Sequence, residues 1–333
     1  MHQAKENETI FHLGTQGGRE ITLDSTQLLA HIAITGGTGV SPVSHMSSWA
    51  RGAIVKGQGL LFLSNVIDGN RLVGQELLGC AKHNGREQDV CIIYLTDACQ
   101  MSETERDLIA GDIAQAVAQR KIVLLSTCQW NKVENASKEG EAVMDILFRT
   151  QQKIPRQETP FLTLLDEYQR LHFYPWAHER FSKKATELGM ACVFYMRKGL
   201  QPNRGFCESA LEESGTKVFG PSENSHFNAL GALWISQGQK GHELSDLGTR
   251  ELDDYLNKQG YGEAVLLQNA EPARPIRLFE LDMPTDLRAS FEEVSRHLRR
   301  AQQERTGLPA RAQKCELDGL TLGSHMARAS RRI

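Results

Sequence analysis

Short, wholly apolar runs alternate with helix-length amphipathic segments along most of this 333-residue chain, and that alternation limits its fold more than any other feature. The runs lie at 29–35, 59–66 (GLLFLSNV), 89–97 (DVCIIYLTD), 121–127 (KIVLLST), 160–168 (PFLTLLDEY), 191–196 (ACVFYM) and 215–220 (GTKVFG). A strand that is apolar at nearly every position has both faces buried. Helices between such strands then imply a mostly parallel central sheet covered on both sides. The spacing predicts helices over 42–56, 71–85, 103–119 and 137–153. In the first of these, Val43, Met46, Ala50, Ala53 and Ile54 share a face and Gly57 is the stop. Two more runs, 263–268 and 275–281, predict a pair of edge strands. No repeat or long linker interrupts the pattern. A single α/β domain over 1–284 is expected, with hydrophobic content (40%) ample for a large core.

Beyond 284 the pattern changes. Leu287, Phe291, Val294, Leu298 and Ala301 recur at helical spacing, which predicts an amphipathic helix within 285–308. Arg288, Arg296, Arg299, Arg300 and Arg305 lie mostly off that stripe. The stripe either packs back on its own domain or serves as a partner face through Leu287, Phe291, Val294 and Leu298. Residues 309–333 form a polar, basic tail that is expected to be disordered.

One strand end carries chemistry. The first core strand runs into Gly36-Gly37-Thr38-Gly39-Val40-Ser41-Pro42-Val43-Ser44. This opens like the phosphate-binding loop G-x-x-x-x-G-K-[ST] and then departs from it, with Ser41 for the last Gly, Pro42 for the Lys and Val43 for the hydroxyl. A lysine about 4 Å from phosphate oxygens is worth roughly 4 kcal/mol at an effective dielectric near 20. Pro42 supplies neither that charge nor a backbone N–H, and Val43 supplies no magnesium ligand. Pro42 does suit the first turn of a helix, so the loop-to-helix geometry is expected to outlive its chemistry. A second motif strengthens the reading. The run FLTLL ends in Asp166-Glu167, where P-loop ATPases of the RecA type place a magnesium-binding Asp and a water-polarising Glu. Asp-Glu after a strand also suits the start of the next helix through its dipole.

Composition closes off other classes. The net charge of −3 argues against a dedicated nucleic-acid binder, although a local basic patch stays open. Seven dispersed cysteines without a C-x-x-C fit reduced thiols and neither a disulfide framework nor a zinc site. His172 and His178, six apart around Trp176, are read as packing or surface residues. No secretory signal opens the sequence and no 18-residue apolar run crosses a membrane. The expected location is cytoplasmic, at most peripheral at the inner membrane through partners.

Taken in order, LGTQGGREITLDSTQLLAHIAITGGTG, IVKGQGLLFLSNV, RKIVLLSTCQWNKVENASKEGEAVMDILF, PFLTLLDEYQRL, ATELGMACVFYM, ESGTKVFG and GYGEAVLLQNAEPARPIRLFEL resemble the cytosolic ATPase domain of type IV secretion coupling proteins, the VirD4/TraD family. The resemblance spans roughly 10–284 and rests on order and spacing, since no single motif is highly specific. It implies a RecA-like P-loop NTPase fold, without the all-helical domain that the family inserts before the strand at 121–127. It implies type IV secretion components or a membrane-bound coupling protein as partners, DNA or a secreted protein as substrate, and a homo-oligomeric ring. If the site is competent, ATP and magnesium are its cofactors, with Asp166 on the metal and Asp166 and Glu167 catalytic; with the loop as written, no cofactor is expected. Three readings follow. The favoured one is a pseudo-ATPase scaffold or adaptor. The others are an ATPase that borrows a lysine, such as Lys56 or a neighbouring subunit's, and a DNA- or protein-binding module.

Overall fold

The computed structural model describes residues 11–36, 42–65, 72–95, 97–127, 136–171, 175–196, 204–221, 225–237, 244, 246–260, 262–268, 271–281, 285–290, 292–294 and 296; at 42–44, 72, 136, 175, 204–206, 225–227 and 285 only the backbone is described. In chain order the elements are β1 (Phe11–Gln16), β2 (Arg19–Leu23), α1 (Ser25–Leu29), β3 (Ile32–Thr35), α2 (Pro42–Val55), β4 (Leu60–Ser64), α3 (Leu72–His83), β5 (Val90–Tyr94), α4 (Glu103–Ala118), β6 (Ile122–Ser126), α5 (Ala136–Lys153), β7 (Phe161–Leu165), α6 (Pro175–Glu187), β8 (Met190–Met196), α7 (Arg204–Glu212), β9 (Thr216–Phe219), α8 (Ser225–Ser236), α9 (Thr249–Asn257), β10 (Glu263–Gln268) and β11 (Arg274–Leu278).

Among the described residues, eleven strands form one sheet in the order β2-β1-β11-β10-β9-β3-β8-β7-β4-β6-β5. The block from β9 to β5 is parallel, and β10, β11, β1 and β2 extend it antiparallel. Right-handed crossover connections sort the helices. The two steps toward the β5 edge, β3 to β4 and β4 to β5, use α2 and α3, whose apolar residues Met46, Trp49, Ile54, Leu77 and Leu78 pack on one face. The steps back, from β5 through β6, β7 and β8 to β9, use α4 to α7 on the opposite face, where Ile113, Val143, Phe181 and Leu211 are buried. Strands β3, β4 and β6 are buried at every position, as two covered faces require.

The runs at 263–268 and 275–281 do pair with each other, but not at an edge. Strand β10 also pairs with β9, and β11 with β1, so the hairpin lies inside the sheet and β2 takes the edge. The added β1–β2 hairpin provides the missing neighbour. Between β5 and β6 the described residues form one 3-10 turn and α4.

The chain after 284 is not helical from its start. A 3-10 turn spans Thr285–Leu287, and the described helical residues begin at 292, after the reciprocal Ser290–Glu293 cap. Val294 is fully buried in the core under α2 and α3, and Leu287 is half-buried. The segment is tied down by Ala289 N–H donating to Gln75 O (3.0 Å) and by the ion pairs Arg288–Glu76 and Lys82–Glu293. Val294 thus faces the protein's own core, while Phe291 and Leu298 lie outside the described residues, as does the tail at 309–333.

Candidate functional site

The carboxyl ends of the parallel strands gather the polar residues. Strand β8 stands between β3 and β7. The loop after β3 and the carboxylates after β7 are therefore two strand spacings apart, about 10 Å. Helix α2 leaves β3 toward one face and α7 leaves β8 toward the other, which opens a crevice between their ends, where ligands of open α/β sheets bind.

At the β3 end, Gly36 is held tightly. Its N–H donates to Met196 O (3.2 Å), and the Tyr195 hydroxyl donates to its carbonyl (3.0 Å). Its φ is +107°, and a Cβ there would fall 2.4 Å from the Gly220 carbonyl oxygen. Only glycine fits this position. Helix α2 begins at Pro42, as Pro at a first helical position predicts. Gly37, Thr38, Gly39, Val40 and Ser41 lie outside the described residues, and the side chains of Pro42, Val43 and Ser44 are not described.

The β7 end carries the acids. Leu164 belongs to the core on the α2 side and Leu165 to the other core, so strand alternation directs Asp166 to the face on which α2 starts. Asp166 is 1% exposed; its Oδ2 accepts from the Ser64 hydroxyl (2.7 Å) and its Oδ1 from the Glu167 N–H (2.9 Å). Glu167 is also buried and adopts a left-handed backbone, φ +52°. For a residue with a Cβ this costs on the order of 1–2 kcal/mol. Its Oε2 accepts from Asn65 Nδ2 (2.9 Å) and lies 3.2 Å from Arg170 Nε. Below the turn, the Tyr168 hydroxyl and His178 Nδ1 are hydrogen-bonded (2.8 Å). Burial is the main cause that pushes the His178 imidazole down to about 3, with the His31 charge adding to it, and burial likewise drives the Tyr168 phenol well above its ordinary range.

A magnesium nucleotide requires a cation and a hydroxyl in the loop and a carboxylate directed at the metal. The sequence places Pro42 and Val43 at the first two positions, and both oxygens of Asp166 already accept donors from within the chain. The loop sequence therefore supplies neither the cation nor the hydroxyl that such a group uses elsewhere. Lys56 is no substitute within one chain, because it follows the last residue of the 14-residue α2. At 1.5 Å per residue that is about 20 Å from the loop. Among the described residues no cluster of three or more His, Cys, Asp or Glu side chains has metal-binding geometry.

Sequence reading named Asp166 and Glu167 but missed Ser64, Asn65, Arg170 and Tyr195. Ser64-Asn65 carried a signal, a polar pair closing an otherwise apolar run. Arg170 carried one as well, three residues after a buried acid.

The topology, a mostly parallel sheet with a glycine turn and an Asp-Glu pair at the ends of two strands that flank a third, is that of the RecA-like P-loop ATPases. Solved structures of the bacterial conjugative coupling protein TrwB share it. The unbound form lacking the first 70 residues superposes with a TM-score of 0.53 at 8% identity, over 82% of this chain and 89% of that one. The complex with ADP and Mg2+ gives 0.53 at 10%, over 85% and 98%, and the complex with the GTP analogue GDPNP gives 0.52 at 9%, over 84% and 92%. No known family description and no curated protein matches the chain. Among the described residues, no helix is long and apolar enough to cross a membrane.

Proposed function

We propose that this chain is a RecA-like scaffold or adaptor of a type IV secretion or conjugation apparatus that works without hydrolysing nucleotide. The observation that carries this is the closure of the Asp166–Glu167 pair by Ser64, Asn65 and Arg170, at the end of the sheet where the loop lacks its lysine and hydroxyl. The setting is supported by the fold shared with TrwB, a conjugative coupling protein, and by the ordered run of segments that resembles that family. In this reading the chain keeps the shape of a coupling-protein ATPase domain and offers it to a membrane-bound coupling protein or another secretion component.

Glu167→Gln tests this in the organism that carries the protein. In an ATPase that change removes the group that orients water. Here transfer or secretion should continue at the wild-type level, with circular dichroism confirming the fold. Loss of activity with the fold intact overturns the reading and favours an enzyme whose missing cation comes from a neighbouring subunit.

A further inference from the structure

Two adjacent carboxylates, both nearly excluded from water, are costly to bury without donors or positive charge beside them. In P-loop enzymes the metal and the loop lysine provide that charge. We propose that Arg170 is the resident cation of this site, doing for Asp166–Glu167 what a divalent metal does elsewhere, so that the acid pair is complete without any ligand. The proposal rests on the non-hydrolysing reading above.

Three observations carry it. Arg170 Nε lies 3.2 Å from Glu167 Oε2, with side-chain exposures of 14% and 8%. This is an inward-facing pair rather than a solvated surface contact, which would be worth little. The arginine is delivered by backbone geometry: Glu167 takes the left-handed conformation, Arg170 N–H donates to Glu167 O (2.8 Å), and a 3-10 turn over Tyr168–Leu171 brings residue i+3 back over residue i. The neighbouring helix is cut to admit that turn, because a Cβ on Gly140 of α5 would stand 2.3 Å from the Arg170 carbonyl oxygen. Ser64, the last residue of β4 beside β7, and Asn65 after it complete the set, each bonding one carboxylate.

The competing explanation is an ordinary local ion pair that would give way to a metal whenever one is present. Manganese, as a spectroscopic and thermal probe for a hard divalent site, separates the two. For the wild-type full chain, millimolar MnCl2 should leave Tm unchanged and paramagnetic resonance should show no bound Mn2+. Arg170→Met should lower Tm without metal and should gain a Mn2+-dependent rise, on the order of a few degrees per tenfold in concentration above Kd. Arg170→Lys should remain blind to Mn2+, and Gly140→Ala, which displaces the turn from a distance, should acquire the same metal response as Arg170→Met. Arg170→Gln replaces Arg170→Met if the latter does not fold. Wild-type Mn2+ binding that Glu167→Gln abolishes would overturn the proposal, and so would Arg170 variants that fold with unchanged Tm and stay blind to Mn2+. Failure of the functional reading looks different: wild-type protein would bind ATP tightly whatever the manganese response. If Mn2+ binds to the wild type but ATP does not, the scaffold reading stands and the assignment of Arg170 falls.

Discussion

The two halves of the crevice have kept different things. At the end of β3 the chain retains backbone: a glycine that no other residue can replace, pinned between β8 and β9, and a proline that starts α2. At the end of β7 it retains side chains: an Asp and a Glu, with the Ser64, Asn65 and Glu167 N–H donors bonded to them and Arg170 paired beside them. The loop half has a glycine and a helix start at its two ends, and its sequence carries no charge between them. The carboxylate half has the charges, satisfied internally. Gly36 is held by packing and backbone hydrogen bonds, which do not depend on charge. Buried charge at the carboxylates must be balanced by something, and the chain provides the balance itself.

If the loop half is retained for backbone reasons, Gly36→Ala should be the most damaging single change. The new Cβ meets the Gly220 carbonyl and the backbone is forced to hold φ +107°. The expected loss is roughly 3 kcal/mol or more by urea unfolding; a near-neutral result would mean that the loop has relaxed and holds no inherited shape. Asp166→Ala tests the other half. It leaves the Ser64 hydroxyl and the Glu167 N–H buried without their acceptor, at about 2–3 kcal/mol. A stability within error of wild type would show that the carboxylate half is not an internally closed unit.

Acid should weaken the carboxylate half through its foundation. Burial lowers His178, beneath Tyr168, to about 3, and also lowers His31 and His45. The folded state holds these rings neutral, whereas the unfolded state protonates them below about 6.5. Their contribution is therefore present above pH 6.5 and is lost as pH falls toward 3. At pH 5 His178 alone should account for about 2 kcal/mol, read as the difference in urea midpoint from pH 7. His178→Gln should flatten that difference; an unchanged pH dependence would locate the sensitivity elsewhere. The smallest effect belongs to Tyr195→Phe, which removes one buried hydrogen bond to Gly36 and should cost about 1 kcal/mol. A cost several times larger would show that this hydroxyl, rather than the glycine packing, holds the loop half in place.

Fold and site were unequally legible in the sequence. The parallel block could be read because buried strands such as LLFLS and FLTLL are apolar at almost every position, a pattern that needs two covered faces. Helices α8 and α9 gave no comparable contrast with their surroundings, and the short α1 depends on an Asp24 cap that periodicity does not register. The 263–268 and 275–281 runs paired as expected but were placed at an edge, because nothing local to them announces that β1 returns from the far end of the chain to cover β11. Within the site, Asp166 and Glu167 stood out as acids at the end of an apolar run. Their partners did not, because Ser64, Asn65 and Arg170 are common residue types that acquire meaning only when β4 lies beside β7 and a left-handed Glu167 turns the chain back.

The central claim is that the loop half no longer binds what the carboxylate half once served. Isothermal titration of the full chain with Mg-ATP at millimolar concentration tests it most directly. Loss of one lysine contact alone removes about three decades of affinity, so the account predicts a dissociation constant weaker than millimolar and no turnover above background. A low-micromolar constant would contradict it.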